Sequence, residues 1–276
     1  MTIKTLHTFA IAAAALLAAQ PAGAQTAPPT PARIAPPATG TKITLSNEIT
    51  DFSGPFGKRR ETTLESSFDL GRTTLVLSGS HATRKFEGES FKGLQLGAVA
   101  FHDWTDRFSS RTTVTLADKS PAFARTELAH DISYKLIPNA LLTVGGKYAR
   151  YDGNVDVKSL FAGGSLYFRG GFATYRLGVH DVAARGHQFS HLASFRLKDP
   201  KGSGQSQLWL AAGTALQEQE VLAAGRKGKY RGFHLQRVQP IAGPVALSFG
   251  LGRTWYDTPA SNYHGTKATV GITLTR

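Results

Sequence analysis

Apolar and polar residues alternate along this chain from Thr41 to its end, and nothing past the N-terminus could cross a bilayer as a helix. Residues 121–137 show the pattern best. Leu128, Ile132, Tyr134 and Leu136 share one parity, and Arg125, Glu127, Asp131, Ser133 and Lys135 share the other. A strand sends successive side chains to opposite faces, so one face is apolar and the other charged. A soluble sandwich would bury the apolar face under a second sheet. A membrane barrel turns it to lipid and keeps the charges in its lumen. The pattern recurs at Leu94 and Leu96, at Val245, Leu247, Phe249 and Leu251, and at Ala268, Val270, Ile272 and Leu274.

The front of the chain favours the barrel. Lys4, an apolar run from Phe9 to Ala19 and the segment Gln20-Pro21-Ala22-Gly23-Ala24 form a secretory signal, with cleavage expected after Ala24. The run is shorter than the ~20 residues that span a bilayer, so it is no anchor. Residues 25–40 are rich in proline and read as an extended, disordered linker. The barrel is expected over 41–276. There are no cysteines, so an exported protein of this kind holds together without disulfides, as a closed hydrogen-bonded barrel does. The formal charge of +13 calls for anionic partners. Export argues against nucleic acid and for phosphorylated lipid or acidic glycan.

The alternation resolves into about fourteen strands, with twelve as the lower count. They are expected near 41–52, 60–70, 73–86, 91–104, 107–119, 122–136, 140–151, 155–169, 172–182, 187–198, 205–216, 229–239, 245–256 and 263–275. Every second connection is tight, as at Leu70-Gly71-Arg72 and Ile137-Pro138-Asn139. The others read as longer and polar: 54–60, 85–90, 152–156, 182–188, 217–230 and 257–263. Short turns at one end and long loops at the other are the mark of an antiparallel up-and-down barrel in the outer membrane. Trp104, Tyr134, Tyr151, Phe168, Trp255 and Tyr256 fall near strand ends, where an aromatic girdle would sit.

Three segments carry a family likeness: GLQLGAVAFHDW (93–104), KLIPNALLTVGGKYARYDG (135–153) and FAGGSLYFRGGFATYRLG (161–178). With them, 41–276 resembles the YaiO-type family of outer-membrane β-barrel proteins. The resemblance implies a Gram-negative cell-envelope barrel associated with surface polysaccharide, and it brings no catalytic residues. The chain departs from common outer-membrane practice by ending Leu274-Thr275-Arg276 rather than in an aromatic.

No hydrolase elbow, zinc motif, phosphate loop or Cys/His cluster is present, so no catalytic, cofactor or metal residue is expected. His180 and Asp181 are adjacent and point to opposite faces. His187 and His191 lie roughly 13 Å apart at strand rise, too far to share a metal. The charges of inward parity are the first candidates. Arg111, Arg125, Glu127, Asp131, Lys147, Arg169, Arg176, Arg196 and Lys267 are expected to line the lumen. They form either a paired structural network or an anion-favouring conduit. The second set is a basic outer rim: Lys58, Arg59, Arg60, Arg84, Lys85, Arg226, Lys227, Lys229 and Arg231, expected to contact anionic glycolipid or polysaccharide. The reading is a monomeric envelope barrel held by outer-membrane lipid and assembled by the barrel-assembly machinery. Its rivals are an anion or saccharide channel and a lipid-modifying barrel enzyme.

Overall fold

The computed structural model describes residues 41–86, 88–152, 155–182, 186–200, 204–214, 228–258 and 262–276. The expected leader (1–24) and linker (25–40) lie outside the described residues. The fold is a single closed antiparallel barrel of fourteen strands. In chain order they are β1 (Lys42–Phe52), β2 (Lys58–Leu70), β3 (Thr73–Phe86), β4 (Glu89–Asp103), β5 (Phe108–Ala117), β6 (Thr126–Ile137) and β7 (Ala140–Arg150). The second half comprises β8 (Asp156–Phe168), β9 (Gly171–Val182), β10 (Gly186–Lys198), β11 (Gln205–Gly213), β12 (Lys229–Ala242), β13 (Val245–Asp257) and β14 (Asn262–Thr275). Each strand pairs with its sequence neighbours. The barrel closes where β1 meets β14, in register from Lys42↔Thr275 to Phe52↔Gly265.

The burial pattern inverts that of a soluble protein. The large apolar side chains are outside: Leu160 is 73% exposed and Leu251 65%. The residues withdrawn from the surface are mainly Thr, Ser, Gln, Glu and Arg, among them Thr63, Glu65, Ser80, Asp131 and Gln207. A continuous apolar band around a polar interior requires lipid outside. No helix among the described residues is long and apolar enough to span a membrane; the apolar outer band is carried by the strands.

The connections after β2, β4, β6, β8, β10 and β12 form one rim with the chain ends; the opposite rim carries the rest. Short turns face the periplasm in such barrels, which orients the molecule. Gly71 (φ 77°) and Gly170 (φ 87°) supply the left-handed residue that two of these hairpins need. The longer periplasmic connection after β10 is clasped by Arg237 of β12. Arg237 donates to Asp199 through Nη1 at 2.6 Å and also through Nη2. Those hydrogen bonds hold the Asp199 carboxyl below its usual range.

Three expectations change. The strand expected at 122–136 begins only at Thr126, because residues 118–125 turn inward. Pro121 has no N–H to give a ladder, and Ser120 Oγ accepts from Ala122 N at 3.2 Å to hold the turn. The connections expected to be long at 85–90 and 182–188 are short, since β3 runs to Phe86, β4 starts at Glu89, and β9 and β10 reach Val182 and Gly186. Tyr151 and Tyr256 are buried, and do not join Trp104, Tyr134, Phe168 and Trp255 on the exposed girdle.

Lipid-facing and lumen-facing neighbours should respond differently to polarity. Phe249, exposed on β13, is expected to lose about 2–4 kcal/mol as Phe249→Arg. Ser248→Asn on the lumen parity should lose well under half of that. Urea unfolding in detergent micelles measures both, and equal losses would contradict the assigned faces.

Candidate functional site

The lumen gathers most of the buried charge among the described residues, and its side chains fall into three zones. The outer zone is aromatic and closed by a loop. Phe52, Tyr256 and Tyr263 form a buried cluster joined by Phe56 and Tyr230. Tyr263 stacks on Tyr256 with ring centroids 4.6 Å apart and on Phe56 at 3.8 Å. The Arg84 guanidinium lies 4.3 Å from the Phe52 ring centroid and 5.8 Å from that of Phe86, a cation–π arrangement. Beside it the segment 118–125 enters the barrel. Phe123, 1% exposed, and Ala122 pack on Ala82 of the inner wall. Gly93 makes room for this loop, since a Cβ there would come within 3.1 Å of Ser120, Ala122 and Phe123 atoms. Arg59 fastens it: Nη2 donates to the Ala122 carbonyl at 3.5 Å, and the guanidinium lies 5.6 Å from the Phe123 centroid. Arg59 is itself paired with Glu61 at 2.7 Å.

The middle zone is a belt of compensated charges. Arg176 of β9 reaches Asp131 of β6 at 3.0 Å and sits 3.8 Å from the Phe161 centroid. Two interior glycines make this bridge sterically possible. A Cβ on Gly145 would collide with the Asp131 carboxylate, and one on Gly163 would collide with the Tyr175 carbonyl and crowd the Arg176 backbone. Lys147 pairs with Glu127 at 3.2 Å and Lys267 with Glu48 at 3.3 Å. Arg111 lies 5.7 Å from the Phe101 centroid, within electrostatic reach of Asp131 and Glu127. His180 bridges two hydroxyls, Ser159 at 2.8 Å and Ser190 at 2.7 Å. Both ring nitrogens are thus engaged by serines, and no carboxylate orients the ring as a hydrolase triad would require. Among the described residues no three His, Asp or Glu side chains are grouped to hold a metal.

The periplasmic zone pairs arginine with aromatics again. Arg196 lies 4.9 Å from the Phe172 centroid and donates through Nε to Gln207 Oε1 at 2.6 Å. Phe172 and Trp209 form a buried cluster against which Tyr167 packs.

The expected lumen set is thus largely assembled: Arg111, Glu127, Asp131, Lys147, Arg176, Arg196 and Lys267 all face inward. Arg125 is half-buried at the end of the inward loop, just ahead of β6. Arg169 is a correction: it is exposed in the β8–β9 turn, which the tight hairpin takes out of the wall. The expected outer rim divides. Arg60, Lys85, Lys229 and Arg231 are exposed on outward parity, and Lys58 pairs with Asp51 at 3.6 Å. Arg59 and Arg84 are corrected from rim contacts to buried lumen groups, because odd residues of β2 and even residues of β3 face inward. Arg226 and Lys227 lie outside the described residues. Sequence reasoning missed the inward charges Glu48, Glu61 and Glu65. Their alternation along Glu48-Ile49-Thr50 and Glu61-Thr62-Thr63-Leu64-Glu65 was the available signal.

A family profile described as "YaiO membrane beta barrel domain" matches residues 40–220. The chain belongs to this family. Its barrel also resembles solved outer-membrane structures. One is a CymD monoaromatic hydrocarbon channel, with TM-score 0.63 at 8% identity, covering 86% of this chain and 88% of that one. Another is a bacterial polysaccharide outer membrane secretin, with TM-score 0.54 at 10% identity, covering 86% and 98%. The likeness is one of fold: a closed antiparallel barrel of the kind these outer-membrane proteins use.

The belt yields a stability test. Asp131→Ala should cost about 3–5 kcal/mol, because it removes the buried carboxylate that pairs with Arg176 and compensates Arg111. Adding Arg176→Met should recover part of the loss. A double-mutant cycle read by urea unfolding checks the coupling, and strict additivity would mean the pair does not interact.

Proposed function

We propose that this outer-membrane barrel is a narrow, gated conduit for small anionic solutes. One observation carries the reading. Arg59 and Arg176 hold carboxylates in ion pairs, and Arg111 lies in the field of two. Arg84 and Arg196 do not: among the described residues, the groups acting on Arg84 are Arg59, Tyr256 and Tyr263, and the group acting on Arg196 is Tyr167. These two guanidiniums sit near opposite ends of the lumen, at 2% and 3% exposure. A cation in a low-dielectric tube without a counter-charge draws a mobile anion. Between them lies the compensated belt, and beside Arg84 the 118–125 loop narrows the passage. Rings of positive side chains are a known route to anion preference in pores. A fold relative that is a channel adds precedent for conduction through a barrel of this architecture.

Planar-bilayer recording tests the reading. In a salt gradient the reversal potential should favour anions, and Arg84→Gln should reduce that preference. Phe123→Ser should loosen the loop and raise conductance several-fold. A barrel that stays electrically silent in both parent and Phe123→Ser would refute the conduit.

The outward cations support a second, compatible reading. Arg60, Lys85, Lys229 and Arg231 stand exposed at the outer ends of β2, β3 and β12. That is the level of the outer-leaflet headgroups, whose phosphates accept charge-assisted hydrogen bonds. We propose that this rim holds anionic glycolipid. Binding to glycolipid vesicles should weaken with salt and fall when all four become Gln, with the barrel still folded. Equal binding by the quadruple variant at low salt would remove the rim from the contact.

A further inference from the structure

The periplasmic end of the lumen combines buried donors that meet no acceptor among the described residues. Tyr167 on β8, Phe172 on β9, Arg196 on β10 and Trp209 on β11 come from four successive strands, and register places Tyr167 and Arg196 on either side of Phe172. Trp209 completes the cluster around the same ring. Arg196 spends Nε on Gln207, while its buried Nη1 has no hydrogen-bond partner. The Tyr167 hydroxyl and the Trp209 indole N–H, both buried, lack partners among the described residues as well. A buried N–H or O–H left unpaired is costly, and three around one aromatic ring point to an absent acceptor. Among the described residues no carboxylate acts on Arg196. Outside the described residues the only acidic residues are Glu87, Glu218 and Glu220. Their connections leave β3 and β11 at the opposite rim. Lys198, two positions along β10 and of the same parity, adds positive charge and no acceptor.

We infer that Arg196, Tyr167 and Trp209 form a binding site for a small carboxylate with a flat or apolar body. The guanidinium Nη1, phenol and indole N–H face the carboxylate oxygens, and the rings of Phe172 and Trp209 flank the body. Guanidinium geometry suits a carboxylate, and aromatic walls favour an attached ring over a bare anion. The inference rests on the conduit reading only for how the ligand arrives; binding itself does not need conduction.

The test uses the full barrel protein in detergent, with Trp104→Phe and Trp255→Phe so that Trp209 is the sole tryptophan reporter. Benzoate, acetate and inorganic phosphate are the probes. Benzoate should give a saturable change in Trp209 emission, and acetate and phosphate weaker ones. Arg196→Gln should weaken benzoate binding about tenfold, the loss expected for one charge-assisted contact. Tyr167→Phe removes only the hydroxyl and should weaken it less. It remains informative if Arg196→Gln fails to assemble, as judged by heat-modified gel mobility. No saturable response, phosphate binding as tightly as benzoate, or benzoate affinity unchanged in both variants would overturn the site. Saturable benzoate binding in a barrel without conductance would keep the site and remove the conduit. Anion-selective conductance indifferent to benzoate would keep the conduit and remove the site.

Discussion

A backbone in hydrocarbon cannot leave its N–H and C=O groups unpaired, and this constraint organises the whole molecule. The pairing of β1 with β14 meets it, turning an open sheet of fourteen strands into a tube without an edge. Once the tube is closed, side-chain parity has a fixed meaning. One residue looks at lipid and the next at the lumen, so a slip of one position would expose Glu48 or Asp131 to hydrocarbon. The register is therefore held by the full two-faced pattern of each strand.

With lipid outside, chemical variety is confined to the interior. The protein treats its inward charges in two ways. Most are compensated, and space is cleared for them: Gly145 and Gly163 exist where a Cβ would obstruct Asp131 or Arg176. Arg84 and Arg196 are instead laid on aromatic rings. Aromatic faces offset part of a guanidinium's lost hydration without neutralising it. A cation stabilised this way still has charge to offer a passing ligand, whereas one locked to a carboxylate does not.

The fold was legible because period-two patterning survives in nearly every strand. Phe249 and Leu251 outside and Ser248 and Gly250 inside could be read directly from the chain, and the alternation at 126–136 fixed Glu127 and Asp131 as lumen groups. The inward loop was not legible. Pro121 and the apolar Phe123 on the otherwise charged parity were the local signals, but they do not by themselves say that the segment leaves the wall for the lumen. Contact with Ala82 and Gly93, distant in sequence, makes that choice. Arg59 and Arg84 were misplaced for a related reason. Runs such as Lys58-Arg59-Arg60 and Arg84-Lys85 look like a uniform basic rim, yet a strand must split adjacent residues between its faces. That Arg196 meets no carboxylate among the described residues could not be read at all, because it depends on which side chains the closed tube brings near.

The separation of Arg84 and Arg196, which hold no carboxylate among the described residues, bears on how such a lumen would work. A single deep anion site would bind and hold, whereas conduction requires entry that is favourable and release that is not too costly. Arg84 lies near the outer end of β3 and Arg196 near the periplasmic end of β10, with the paired belt between them. An anion leaving one would cross a belt whose cations Arg176, Lys147 and Lys267 already hold carboxylates, where its attraction is weaker. The Arg59-held loop stands at the first of these stations, so its displacement would set access to the whole path. In the proposed site, the aromatic and donor-rich walls at Arg196 would set what is recognised at the second. In the proposed conduit, access and selectivity would thereby fall to different strands of one tube, apart from the hydrogen-bonded closure between β1 and β14.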